Sequence, residues 1–439
     1  MPQEKDFPDF GTDLVYFNRT RREFLKLGSL AVAGLLLSDA VRPSLSAGDS
    51  VRTMRADRAA ALALRDAGAR VVTHVPATGA VAVFDAVNEL AGTKPVYSFN
   101  EETAYTVAHG AALSGARAAA VLKSHGLAKA ANSVIDSLTL GTTGGFVTVA
   151  LDDPEGAHSD NIFPLQDFLR GTGIPFKRAG RETIYDDVLE CFLWSEKLTV
   201  PVVLFVDSRE LSREAPVLGK TLPPVSRRYS RDALRHVLCP PLAPYQLRVL
   251  EAKLAGKDWR SISEPVLPPV PQGLPALWRQ AAAQFVPVFE IFQALRPQID
   301  FVGGDTGLSS LFAFPPFACV DACSYYGGSL PLAIGAFLGG PKRVWAVTGD
   351  YAFLAAGHLG LIEAHARRIP LKVLILDNGR AMATGGQPVP EGLLERVLGG
   401  WTSFVRRIDT PADPSAVREA LSRAQASQRL EIVHAVFRG

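Results

Sequence analysis

The chain has 439 residues, of which 47% are hydrophobic and 21% charged, the balance of a folded protein with a sizeable core and not of a disordered one. Its formal charge of +2 gives no electrostatic case for a nucleic acid or any other polyanionic partner. Four cysteines, Cys191, Cys239, Cys319 and Cys323, are too few and too scattered for an iron–sulfur cluster, and Cys319 with Cys323 reads as two buried free thiols in preference to a disulfide or a metal half-site.

Thr20-Arg21-Arg22-Glu23-Phe24-Leu25-Lys26 precedes an apolar run, Leu27 to Leu37, and then small residues. This resembles a twin-arginine export signal, which implies a periplasmic protein; the alternative is an amphipathic amino-terminal helix on a cytoplasmic one. The apolar run is shorter than the roughly 20 residues that span a bilayer. Glu4, Asp6, Asp9 and Asp13 dilute the positive region, and Ala40 and Ala47 are both candidate cleavage points. The expected organisation is a signal segment over 1–50, a first domain over 51–210, a linker over 211–285 and a second domain over 286–439.

From Ala56 to Asp207 apolar runs alternate with helical stretches. VVTHV, PVYSF, AAAVLKS, FVTVALDD and VVLFVD read as strands; helices are expected near Val81 to Leu90, from Glu101 and after Gly126. The linker is rich in proline and arginine and has room for one or two helices. A second alternating set contains DFVGGD, RVWAVTGD, LKVLILDN and EIVHAVF as strands, with helices at Ser329 to Leu338, Leu361 to Ala366 and Pro414 to Ala426. The predicted class is α/β, two mostly parallel sheets each with helices on both faces.

In that second set, one strand ends in Gly349-Asp350-Tyr351 and the next in Asp377-Asn378-Gly379. Both tips fall at the carboxyl edge of a parallel sheet, where open α/β sheets bind ligands. The Asp350 carboxylate, the Asn378 amide oxygen and a backbone carbonyl just beyond, at Arg380, are oxygen donors suited to magnesium shared with a phosphate. Gly349 lets the backbone approach a phosphate, and the helix start after Tyr351 offers free amides. In the first set, PVYSF is followed by Glu101 and Glu102 at a helix start, with Gly110 nine residues after Glu101. Taken singly, such first-turn acids are what the helix dipole favours; Glu102 reads as the solvated one.

Gly349-Asp350, one helix and strand, then Asn378 resembles the GDG to NN motif of thiamine diphosphate enzymes, departing from it at Tyr351 and Asp377. The segments holding Gly304-Asp305 and Gly328-Ser329-Leu330 resemble the diphosphate-side loops of that family, with Leu330 as the apolar pillar under the cofactor. By the same resemblance Glu101 is the carboxylate that activates the aminopyrimidine. NEETAYTVAHGAALSGARAAAVLKSHGLAKAANSV, LDDPEGAHSDN, GDTGLSSLFAFPP and LDNGRAMATGGQPVP are similar to the alpha subunits of indolepyruvate ferredoxin oxidoreductases. They are less close to the sulfopyruvate and phosphonopyruvate decarboxylases. The ferredoxin-like domain of the former has no counterpart after EIVHAVFRG. The resemblance implies thiamine diphosphate and Mg2+ as cofactors and decarboxylation of a small-molecule 2-oxo acid through an enamine. It also implies a homodimer with the cofactor between subunits, and a redox partner subunit if the reaction is oxidative. The alternatives are a non-oxidative decarboxylase and a non-catalytic cofactor-binding subunit. A nicotinamide dehydrogenase lacks its G-x-G-x-x-G turn here. Among His74, His109, His125 and His358, His125 is the first choice as proton donor, although each alone is more often structural.

Overall fold

Most strands of this protein are continuous apolar runs, the pattern of sheets covered on both faces. The computed structural model describes residues 51–225 and 227–437, and the expected export segment lies outside the described residues. Strand β1 (Arg52–Arg55) leads directly into helix α1 (Ala56–Asp66). Strands β2 (Ala69–His74), β3 (Arg117–Lys123), β4 (Phe146–Asp152), β5 (Phe176–Arg178) and β6 (Val202–Asp207) form a parallel sheet in the order β2-β3-β4-β6-β5. Strand β7 (Glu214–Val217) returns to pair antiparallel with β1.

Side-chain alternation splits the first sheet's core in two. Ala119, Val121, Val147 and Val149 face α1, α2 (Ala80–Ala91) and α6 (Ile184–Leu198); in between in the chain lie α3 (Glu101–Leu113), α4 (Ser124–Lys129) and α5 (Ala131–Leu140). Ala118, Ala120, Leu122 and Ala150 face α3 and α5 on the other side. PVYSF is not a strand. It runs past the edge strand β2 with the Ser98 N–H donating to the His74 carbonyl at 2.9 Å, while Val96 and Phe99 stand exposed, so its apolar residues have no second layer to cover them.

The connector carries α7 (Ala243–Leu254) and α8 (Ala276–Ala283), and it packs Val237, Leu242, Leu274 and Phe285 into the core of the second sheet. That sheet consists of β8 (Phe301–Asp305), β9 (Ala322–Ser324), β10 (Val344–Gly349), β11 (Lys372–Asp377), β12 (Val405–Ile408) and β13 (Glu431–Val436). All pairings are parallel, in the order β12-β13-β11-β10-β8-β9. Helices α9 (Ser329–Gly339), α10 (His358–Ala366) and α11 (Pro414–Ala426) cover its faces.

The two sheets are held together by α3 crossing α9. Every residue of α3 from Thr103 to Leu113 is buried, which is why the helix is rich in Ala. The approach is backbone to backbone: a Cβ on Gly335 would lie 2.0 Å from the Val107 carbonyl oxygen, and one on Gly110 would lie 2.2 Å from that of Leu332. All four cysteines are buried and free, as two thiols at 319 and 323 were expected to be. No helix among the described residues is long and apolar enough to cross a membrane.

Candidate active site

Adjacent strands β8, β10 and β11 end at one sheet edge, and their tips line a cleft. Thr306 to Ser309 come from the loop after β8, Gly349 to Ala352 from the end of β10, and Asn378 and Arg380 to Thr384 from the loop after β11; Tyr326 closes the side. Five of the residues expected at a diphosphate anchor, Gly349, Asp350, Tyr351, Asn378 and Arg380, therefore meet. Gly349 has extended backbone that any residue adopts, so its glycine matters for space: a Cβ there would meet nothing within 4 Å. That opening lies beside the helix start at Asp350, the end of a helix that suits an anion.

The carboxylate of Asp350 is 1% exposed and accepts the Gly379 N–H at 2.8 Å. Burial, reinforced by the neighbouring Asp377, pushes its pKa up to about 7. Asp377 is itself fully buried, bonded to the Gly379 N–H at 3.2 Å and to His434 Nε2 at 2.8 Å. Two buried carboxylates side by side, next in the chain to the Asn378 amide, form a site whose negative potential a hard divalent cation would relieve, and the donor set fits magnesium. Asn378 Oδ1 accepts the Arg380 N–H at 3.2 Å, which folds the loop back over the anchor.

The other expected cofactor residues lie beneath the cleft. Asp305 is 1% exposed and accepts the Ser329 N–H at 2.7 Å and the Thr348 hydroxyl, tying β8 to α9 and β10; burial raises its pKa to about 6. Gly304 packs against Val320 and Cys323, and Gly328 against Tyr325. Leu330 is fully buried against Gly360. One bulky side chain that lines the cleft is Tyr326, edge-on to Tyr351 at 6.2 Å. No signal in the sequence places it: α9 starts only at Ser329, which leaves Tyr326 in the preceding loop and Leu330 buried.

At the carboxyl edge of the first sheet, Asn100 caps α3 by accepting the Thr103 N–H at 3.0 Å, which fixes Glu101 as the first helical residue. The Glu101 carboxylate pairs with Lys129 at 2.8 Å, and Gly126 leaves room for its stem: a Cβ there would lie 2.9 Å from Glu101 Cγ. His125, next to that glycine, bonds Asn161 Oδ1 through Nε2 at 2.5 Å and meets Phe163 edge-on. Glu101 and His125 thus share one edge. Glu102, expected to be solvated, is instead half-buried among Asn132, Ser133 and Tyr325, and burial raises its pKa. It turns inward because α3 is covered on both sides. Asp136, absent from the sequence reading, bonds Ser324 at 3.2 Å in the same junction and is pushed up to about 6 by burial. His74 and His109 are buried on the carbonyls of Val121 and Gly141, with pKa values lowered by burial, and His358 bonds the Phe353 carbonyl at 3.3 Å.

Residues 305–435 match the family described as thiamine pyrophosphate enzyme, C-terminal TPP binding domain. The chain is 35% identical over 109 residues to the indolepyruvate oxidoreductase subunit IorA of Archaeoglobus fulgidus, covering 25% of this chain and 18% of that protein. It is 32% identical over 139 residues to the subunit of the same name from Thermococcus kodakarensis, covering 31% and 22%. The matched stretches span about a fifth of the length of these curated relatives. Among solved structures, the thiamine diphosphate-dependent 4-hydroxybenzoylformate decarboxylase of Rhodococcus jostii RHA1 aligns over 88% of this chain and 99% of its own, with a TM-score of 0.57 and 14% identity, a likeness of fold.

Proposed function

With the chain a member of the thiamine diphosphate enzyme family, distantly related to the IorA-type subunits it partly matches, we propose that it is a magnesium-dependent decarboxylase of a 2-oxo acid that releases an aldehyde without an electron acceptor. The observation that carries this reading is the buried Asp350, with Asn378, at the tips of two neighbouring strands inside the matched domain. Bound thiamine diphosphate would supply the nucleophilic carbon and the electron sink. Asp350, Asn378 and the Arg380 carbonyl hold the metal, the amides after Gly349 receive the diphosphate, and Tyr326 walls the cleft. With the cofactor bound, Glu101 would offer its carboxyl oxygen to share a proton with a ring nitrogen, and His125 would hold a proton for the product side.

The non-oxidative outcome is supported by the fold shared with the 4-hydroxybenzoylformate decarboxylase, which aligns over 88% of this chain. The carboxylate of Glu101 comes from a second copy of the chain in this reading. The twin-arginine-like start supports export of the folded, loaded protein.

Purified protein given Mg2+, thiamine diphosphate and a panel of 2-oxo acids is expected to release equal amounts of carbon dioxide and aldehyde. The matches to indolepyruvate oxidoreductase subunits favour a second reading, oxidation with a redox partner subunit. Turnover seen only with an added electron acceptor would select that one.

A further inference from the structure

Beside the anchor cleft lies a second cavity, of about 580 Å3, within the size range of small-molecule sites. The two share Thr306, Gly307, Leu308, Tyr326 and Ala383, so they are continuous. The far wall is built by the connector: Pro240, Ala243, Leu247 and Leu250 around α7, and Trp278 of α8. Among the described residues, no Lys, Arg, His, Asp or Glu lines it.

Its one buried amide is Gln246, 3% exposed, whose Nε2 donates to the carbonyls of Leu234 and Val237, each at 2.9 Å. Both amide hydrogens are therefore committed to backbone, and what remains for a ligand is the acceptor Oε1. An anionic group entering this cavity would lose its water without gaining a counter-charge. A methyl group would leave most of the apolar wall unfilled.

We infer that this connector cavity receives the side chain of the 2-oxo acid and restricts it to uncharged, bulky, mainly apolar groups. The inference rests on the decarboxylase reading for the identity of the reacting end. It weighs against a sulfonate- or phosphonate-bearing substrate.

The test compares kcat/KM for phenylpyruvate, pyruvate and sulfopyruvate in the loaded protein and in Ala243→Phe and Leu247→Arg. Both positions lie on the exposed side of α7, Leu247 being 54% exposed, so neither change strains the fold. Wild type is expected to prefer phenylpyruvate over pyruvate by roughly 10- to 200-fold and to leave sulfopyruvate unused. Ala243→Phe should lower the phenylpyruvate value about tenfold or more through KM and the pyruvate value far less, and Leu247→Arg should raise the sulfopyruvate value. Equal use of all three acids, or a parallel loss on all three in Ala243→Phe, overturns the assignment. If no acid turns over, the decarboxylase reading fails, and calorimetry decides the cavity separately. Phenylpyruvate binding that Ala243→Phe weakens sustains it; heat no different from that of sulfopyruvate overturns it.

Discussion

Replacing Asp350 with Asn should make the metal-free protein more stable at pH 8 while destroying its response to cofactor. Burial first, and Asp377 second, raise the Asp350 carboxyl from the ordinary 3.8 to about 7. The folded state therefore keeps a proton that the unfolded chain releases from about pH 4 upward. The resulting loss of stability is absent below that pH, grows through the window and is complete above about pH 7. A rise of that size corresponds to a ceiling of ~4 kcal/mol. Asn keeps the shape and an acceptor for the Gly379 N–H but carries no charge, so it recovers up to that amount at pH 8 and nothing at pH 4. Thermal denaturation in chelator should show Asp350→Asn melting a few degrees above wild type at pH 8 and level with it at pH 4. Added Mg2+ and thiamine diphosphate should close most of that gap, since ligand at a hundred times its Kd stabilises wild type by about 2.7 kcal/mol and the variant not at all. A variant that melts lower than wild type at pH 8 without metal, or that still gains stability from the cofactor, refutes this account of the anchor.

Glu101→Gln should abolish 2-oxo acid turnover by about a hundredfold or more while leaving the calorimetric affinity for the Mg2+–thiamine diphosphate pair within a few-fold, because the change removes a proton site and no diphosphate contact. His434→Phe takes away the 2.8 Å hydrogen bond to the buried Asp377 and should cost about 1–3 kcal/mol in urea denaturation; adding Asp377→Asn should recover most of it, and no recovery would show that His434 acts through packing alone. Gly335→Ala drives a Cβ into the Val107 carbonyl at the crossing of α3 and α9, and a loss of roughly 3 kcal/mol with a reduced m-value is expected as the two sheets uncouple.

The strands within the parallel sheets were legible because burial on both faces turns them into unbroken apolar runs, as in VVLFVD and LKVLILDN. PVYSF has the same composition and is not a strand, since composition does not say that β2 is already the edge of the sheet. The short strands β5, β9 and β12 escaped for the opposite reason: Phe176–Arg178, Ala322–Ser324 and Val405–Ile408 are too brief or too polar to carry a period, and register with a neighbour makes them strands.

The site divides along the same line. Gly349, Asp350 and Asn378 could be placed from the chain because a parallel sheet delivers whatever ends its strands to one edge, irrespective of how side chains turn. The burial of Leu330 and the place of Tyr326 in the cleft could not, for both depend on where α9 begins, and only Gly327 and Gly328 separate that helix from the ring in the cleft. Glu101 and Glu102 are adjacent and differ by one step of the same helix, about 100° of turn. That step sends one carboxylate to Lys129 at an open edge and the other into the junction with Tyr325. The cavity beside the cleft was beyond reach altogether: its far wall comes from a proline-rich connector with no period of its own, which acquires a shape only when Phe285, Leu274 and Leu242 sink into the second sheet's core. What is conserved by strand geometry thus lies in the anchor, and what selects a substrate in this reading is left to the segment whose structure is most dependent on its neighbours.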